Sequence, residues 1–192
     1  MSREDKKRDK KNRLLDAARR SFAEKGFRKT TVDEIVDRAQ VAKGTFYLYF
    51  KNKESVFKEL VELLERRYKS LREKMRQEKD LEDKLYFFAK GYFSLLEDNR
   101  DLARIGLFNF DHVDESLKKF FIRLQTFQVD SIKEEIIAAG FILEEPRKAA
   151  LAFVGMVNYF AAHYVLNPDR PFSPEKDARF VVDLFFKGIP AK

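Results

Sequence analysis

Apolar positions recur at intervals of three and four along nearly the whole chain, and no stretch shows the two-residue alternation of a half-buried strand. The pattern predicts an all-α protein. Prolines occur only at 146, 168, 171, 174 and 190, so residues 1–145 are uninterrupted by one. A first helix is expected from about Lys11 to Lys25, with Leu14, Leu15, Ala18 and Phe22 on one face. Gly26 supplies its left-handed terminator, and Phe27 the apolar residue that folds back on the last turn. A second, short helix opens at Thr31, where Thr31 and Glu34 form a capping box ahead of Val32, Ile35, Val36 and Ala39, and it closes by Gln40. The third segment, Lys43 to Phe50, differs in kind. Phe46 and Phe50 lie four apart and can face inward, while Lys43, Thr45, Tyr47 and Tyr49 spread over the remaining surface.

Beyond it the pattern predicts a long helix from Lys53 to about Gln77, capped by Asn52 and striped by Val56, Phe57, Leu60, Leu63, Leu64, Tyr68, Leu71 and Met75. Further helices are expected at about Leu81 to Leu96, Asp101 to Phe108, Asp114 to Ala139, Pro146 to Leu166 and Pro174 to Lys187. Ala149 to Leu166 is 18 residues without a formal charge, long enough to raise the question of a membrane span. Asn158 and His163 interrupt it, and no second span or lysine-rich flank sets a topology. A helix apolar on all sides is instead expected where it is buried on all sides, and no membrane partner is expected.

Charge divides the chain. Residues 1–53 hold 16 Lys or Arg against 8 Asp or Glu, whereas residues 54–192 hold 23 against 24, so the whole excess of +7 comes from the first quarter. Basic residues placed on phosphates release counterions and add sequence-independent affinity for a polyanion. The chain has no cysteine, which excludes disulfides, thiolate metal sites and cysteine nucleophiles, and it shows no apolar signal segment, so the expectation is a cytoplasmic protein without a metal or cofactor. The two histidines are far apart, and no phosphate loop or nucleophile motif appears, so enzyme chemistry finds no support. A basic architectural protein that binds DNA without sensing a ligand is the remaining alternative.

Hydroxyls and an ammonium on a short exposed helix suit a DNA groove, with Gly44 allowing close backbone approach. The three N-terminal segments together resemble the DNA-binding domain of the tetracycline-repressor (TetR) family. The residues that carry the resemblance are Gly26-Phe27, Thr30-Thr31-Val32-Asp33-Glu34-Ile35 and the run from Val41 through Lys43-Gly44-Thr45-Phe46-Tyr47-Leu48-Tyr49-Phe50 to Lys53-Glu54. The resemblance implies a helix-turn-helix domain over residues 1–53 and a helical ligand-binding and dimerisation domain over 54–192. It implies that Lys43, Gly44 and Thr45 open a recognition helix, that Tyr47 and Tyr49 touch backbone or bases, and that Thr31 and Lys53 hold phosphates at helix N-termini. Two positions depart from the family pattern: Gln40 stands where glycine is usual, and Ala42 where serine or threonine often caps.

The resemblance further implies a dimeric regulator, a repressor as the common case, released from a pseudo-palindromic DNA operator by a small effector. The phenylalanine-rich C-terminal part suits an apolar or aromatic effector, and the candidate lining residues are Phe88, Tyr92, Phe108, Asn109, Phe127, Asn158, Tyr159 and His163. A four-helix dimer seam is expected from Ala150, Gly155, Ala161, Phe180, Val181, Leu184 and Phe185.

Overall fold

The computed structural model describes residues 2–98, 100, 115–141, 144–167 and 169–188, apart from the side chains at 98, 116–118, 120 and 121. Every regular element among the described residues is a helix. Helix α1 spans Arg3–Lys25, beginning well before Lys11. The reason is a capping box: the Ser2 N–H donates to Asp5 Oδ2 at 2.9 Å, and the Asp5 N–H donates to Ser2 Oγ at 3.1 Å. Gly26 ends α1 at φ 80°, and Phe27 folds back against Phe22 and Phe57, with ring centroids 5.2 and 5.3 Å away. Helix α2, Val32–Ala39, carries the expected reciprocal bonds between Thr31 and Glu34.

Gln40 closes α2 in the left-handed region at φ 52°, a conformation that costs a side-chain-bearing residue about 1 kcal/mol. Arg13 offsets part of that cost. Its Nη2 donates to the carbonyls of Ala39 at 2.6 Å and Gln40 at 3.0 Å, groups that the end of a helix leaves without partners. Helix α3 is Lys43–Tyr47, shorter than the sequence pattern suggested, and Ala42 gives it no side-chain cap. After Tyr47 the chain turns, and the Tyr49 and Phe50 N–H groups both donate to Phe46 O at 2.9 Å.

Helix α4, Lys53–Met75, is capped by Asn52 through Ser55 and belongs to two apolar cores. In the first, Val56, Phe57 and Leu60 pack with Leu14, Ala18 and Phe22 of α1, Ile35 of α2, and Phe46 and Phe50. In the second, Tyr68 and Met75 join α5 (Leu81–Asp98), α6 (Glu115–Ala138), α7 (Pro146–Leu166) and α8 (Pro174–Lys187). The buried residues of α4 up to Leu60 serve the first core and those from Tyr68 onward the second, with Leu64 packed against both. Where α4 meets α5, the Leu71 side chain lies over Gly91 in the space that a Cβ there would take.

The second core contains polar groups, each matched. Tyr68, Tyr92 and Gln128 are buried and hydrogen-bond one another. Glu135, also buried, accepts from Lys84 Nζ at 2.7 Å and Arg76 Nε at 3.2 Å, which ties α4 and α5 to α6. Helix α7 is long and apolar enough to cross a membrane by length and composition alone. Its Ala150, Phe153, Val154, Val157, Ala161 and Val165 nonetheless pack inside this chain.

Candidate nucleic-acid interface

The surface around α3 is built on two buried rings. Phe46 is fully buried and Phe50 nearly so, and burying a phenylalanine side chain contributes about 1.5–3 kcal/mol. With those two positions pointing inward, the intervening side chains have to point out. Tyr47 is 55% exposed, Lys43 and Gly44 are exposed, and Thr45 and Tyr49 are half-buried. Leu48 points outward further than Tyr47, at 78%, an apolar side chain beside polar ones. Sequence reasoning passed over it because an isolated leucine reads as core.

Electrostatics tune the same face. Lys43 Nζ lies 2.6 Å from Asp33 Oδ1, and the hydrogen bond to that carboxylate, followed by its charge, raises the lysine above its ordinary value. Asp33 thus occupies the ammonium as a phosphate would. Thr31 Oγ1 accepts from the Glu34 N–H at 3.2 Å, a use that leaves its own O–H able to donate. Its neighbour Thr30 is buried, with Oγ1 donating to Gly26 O at 2.9 Å and Ser21 O at 3.1 Å, so the paired threonines have separate tasks.

Lys53 departs from expectation. Its ammonium donates to Phe27 O at 2.9 Å, Arg28 O at 3.0 Å and Thr30 O at 2.9 Å, and it stands 4.8 Å from the Phe27 ring centroid. All three N–H donors are engaged, so Lys53 presents none outward to a phosphate. It clamps the start of α4 onto the turn between α1 and α2. Exposed cations on that same edge are instead Arg28 and Lys29 in the turn, and Lys51 before α4.

Residues 14–60 match the family model described as bacterial regulatory proteins, tetR family. Along almost its whole length the chain is 31% identical to the fatty acid metabolism regulator protein of Bacillus subtilis, covering 97% of this chain and 98% of that one. This chain belongs to the tetR family of bacterial regulatory proteins. It is a DNA-binding transcriptional regulator, not an enzyme. The HTH-type transcriptional regulator YdgC of Bacillus subtilis is 27% identical, with 96% of this chain and 94% of that protein covered. The crystal structure of the Bacillus subtilis transcriptional regulator FadR in complex with stearoyl-CoA superposes with a TM-score of 0.76 at 26% identity, covering 93% of this chain and 99% of that one.

Within this tetR-family regulator the C-terminal candidates separate. Phe88 and Tyr92 are buried, with their rings stacked 6.2 Å apart, and Phe127 is half-buried at the α4–α6 seam. Phe108 and Asn109 lie outside the described residues. Asn158 is half-buried, whereas His163 is exposed and Tyr159 is 75% exposed, so those two point away from the interior rather than into a cavity. The expected seam residues divide as well. Ala150, Ala161 and Val181 are buried in this chain's own core and cannot reach a partner; Leu184 and Phe185 are half-buried, and Gly155 and Phe180 are exposed. Leu151, Gly155, Tyr159 and Leu166 of α7, with Phe180 of α8, make the outward apolar face, and Phe160 bridges the two helices at 5.8 Å from the Phe180 ring.

Proposed function

We propose that the chain is a cytoplasmic homodimeric repressor that holds a pseudo-palindromic operator and releases it on binding a long-chain acyl effector. The observation that carries the DNA half is the outward set Lys43, Gly44, Thr45, Tyr47 and Leu48, braced by buried Phe46 and Phe50. Entering the major groove, Lys43 exchanges Asp33 for a phosphate or base edge, Tyr47 and Tyr49 contact backbone or bases, and Leu48 meets a thymine methyl. Thr31, Arg28, Lys29 and Lys51 anchor the flanking phosphates. Lys53 keeps the head square on α4.

The dimer forms through the outward face of α7 and α8. A contiguous apolar surface of that kind marks an interaction site, and two heads on a twofold axis read half-sites about one helical turn or somewhat more apart. The effector half rests on the relatives, one named for fatty acid metabolism and one solved with stearoyl-CoA. Phe127 and the buried Tyr68–Tyr92–Gln128 group suit an amphipathic ligand, with an apolar wall beside a few polar groups. A duplex selected by the purified protein from random DNA, followed by anisotropy, tests the proposal. Stearoyl-CoA should release the duplex at micromolar concentration or below; release by no acyl compound rejects the effector assignment.

A further inference from the structure

The seam between α4 and α6 holds two adjoining cavities of about 410 and 180 Å³, both lined by Arg123 and Phe127. Arg72 enters the larger from α4, and Tyr68 and Lys69 enter the smaller from the same helix. The Arg72 guanidinium lies over the Phe127 ring, 5.2 Å from its centroid. One of its terminal nitrogens pairs with Glu134, while its Nε–H is buried with no hydrogen-bond partner. We propose that Arg72 reads the anionic end of the effector, exchanging Glu134 for the ligand's phosphate or carboxylate. The inference rests on the acyl-effector reading above and assigns it a residue and a switch.

Three observations support the exchange. A planar guanidinium is matched to bidentate oxyanions, yet Arg72 offers Glu134 only its terminal nitrogen, so an incoming oxyanion can engage the buried Nε–H as well. Glu134 does not become an orphan when Arg72 leaves it, because Arg76 Nη2 holds the same Oε2 at 2.8 Å. The other carboxylate on the larger cavity, Asp130, is held by Arg147 at 2.5 Å, while Lys69 and Arg123 have no ion-pair partner among the described residues. An anion entering the larger cavity meets Arg72 and Arg123, with both carboxylates of that cavity held by other arginines, whereas the smaller cavity carries the carboxylate of Glu65 beside Lys69. The apolar chain then lies along Phe127, Leu124 and Tyr68.

The exchange reports to the DNA head because Arg72 sits on the helix that Lys53 clamps at its other end. Replacing the Arg72–Glu134 pair with a ligand contact removes one of the ties that fix α4 to α6.

Dodecanoyl-CoA, dodecanoate and dodecanol should be titrated calorimetrically into the full-length wild type, Glu134→Gln and Arg72→Gln, with thermal melts confirming that each is folded. Glu134→Gln removes the internal competitor and should tighten an anionic probe about threefold or more, while Arg72→Gln weakens it about tenfold; dodecanol binds all three proteins alike. A response confined to dodecanoate assigns the anion to the fatty-acid carboxylate, and an equal response of dodecanoate and the thioester shows that Arg72 takes either oxyanion. A response confined to the thioester assigns the anion to the CoA phosphates. Anionic probes that bind all three proteins equally, or an Arg72→Gln loss shared by dodecanol, overturn the role of Arg72 and leave the acyl reading standing. Failure of every probe to bind wild type overturns both.

Discussion

Replacing Lys53 with methionine separates two roles that a lysine at a helix start can play. The ammonium donates three hydrogen bonds of 2.9–3.0 Å to carbonyls of the α1–α2 turn and rests 4.8 Å from the Phe27 ring centroid. A hydrogen bond from a charged donor nets about 1.5–3 kcal/mol when its partners are buried. Here the bonds to Phe27 and Thr30 are only part-buried and the one to Arg28 is exposed, so the three do not sum. About 2–3 kcal/mol for the whole clamp is a consistent estimate, including roughly 0.5 kcal/mol from the ring.

At roughly 2–4 °C per kcal/mol for a chain of this length, Lys53→Met should lower the melting temperature by about 5–10 °C. Operator binding below that temperature should keep its salt dependence, because no phosphate contact is lost. Each phosphate contact contributes about 0.9 to the slope of log K against log salt, so Lys43→Ala, by contrast, should flatten the slope by about one per subunit. Melting by circular dichroism and anisotropy at several salt concentrations give both numbers. An unchanged melting temperature with a flattened slope for Lys53→Met would refute the clamp and return Lys53 to the phosphates.

Gln40→Gly should raise stability by about 0.5–1 kcal/mol, since φ 52° no longer strains a Cβ; a lower melting temperature contradicts this. Phe180→Glu and Tyr159→Glu place charge on the outward face without touching the core, and light scattering should show a dimer becoming a monomer; an unchanged mass would move the interface elsewhere. Burial pushes the Tyr92 hydroxyl up to about 12 from 10.0, so between those values the folded chain keeps a proton that the unfolded chain has lost. Tyr92 then leaves stability unaffected below pH 10 and lowers it through that window by about 2–3 kcal/mol, beside a further fall from Tyr68, whose hydroxyl burial also pushes up, so Tyr92→Phe should remove part of the fall in urea titrations and leave the rest.

What could be read from the sequence was local or strongly phased. Gly26, the Thr31–Glu34 box and the Asn52 cap follow from residues three or four apart, and the Phe46–Phe50 spacing alone turned the rest of α3 outward. The first turns of α1 carried no apolar period, so the Ser2–Asp5 box went unread beneath a run of charges. Helix α7 failed for the opposite reason. With 18 uncharged residues it has no polar face to set its rotation, and only packing decides that Ala150 and Ala161 point in while Tyr159 and His163 point out. Lys53 was placed at a helix N-terminus, where anions are favoured, but its long side chain reaches back to three carbonyls that lie more than twenty positions earlier.

The central claim is that the face of α3 reads a duplex in two symmetric copies, and enrichment of random double-stranded DNA by the purified protein tests it directly. Wild type should recover an inverted repeat with half-sites about one turn or slightly more apart, and Tyr47→Ala should lose that sequence while remaining folded. Recovery of no shared sequence, or of the same repeat by Tyr47→Ala and Lys43→Ala, would contradict the account.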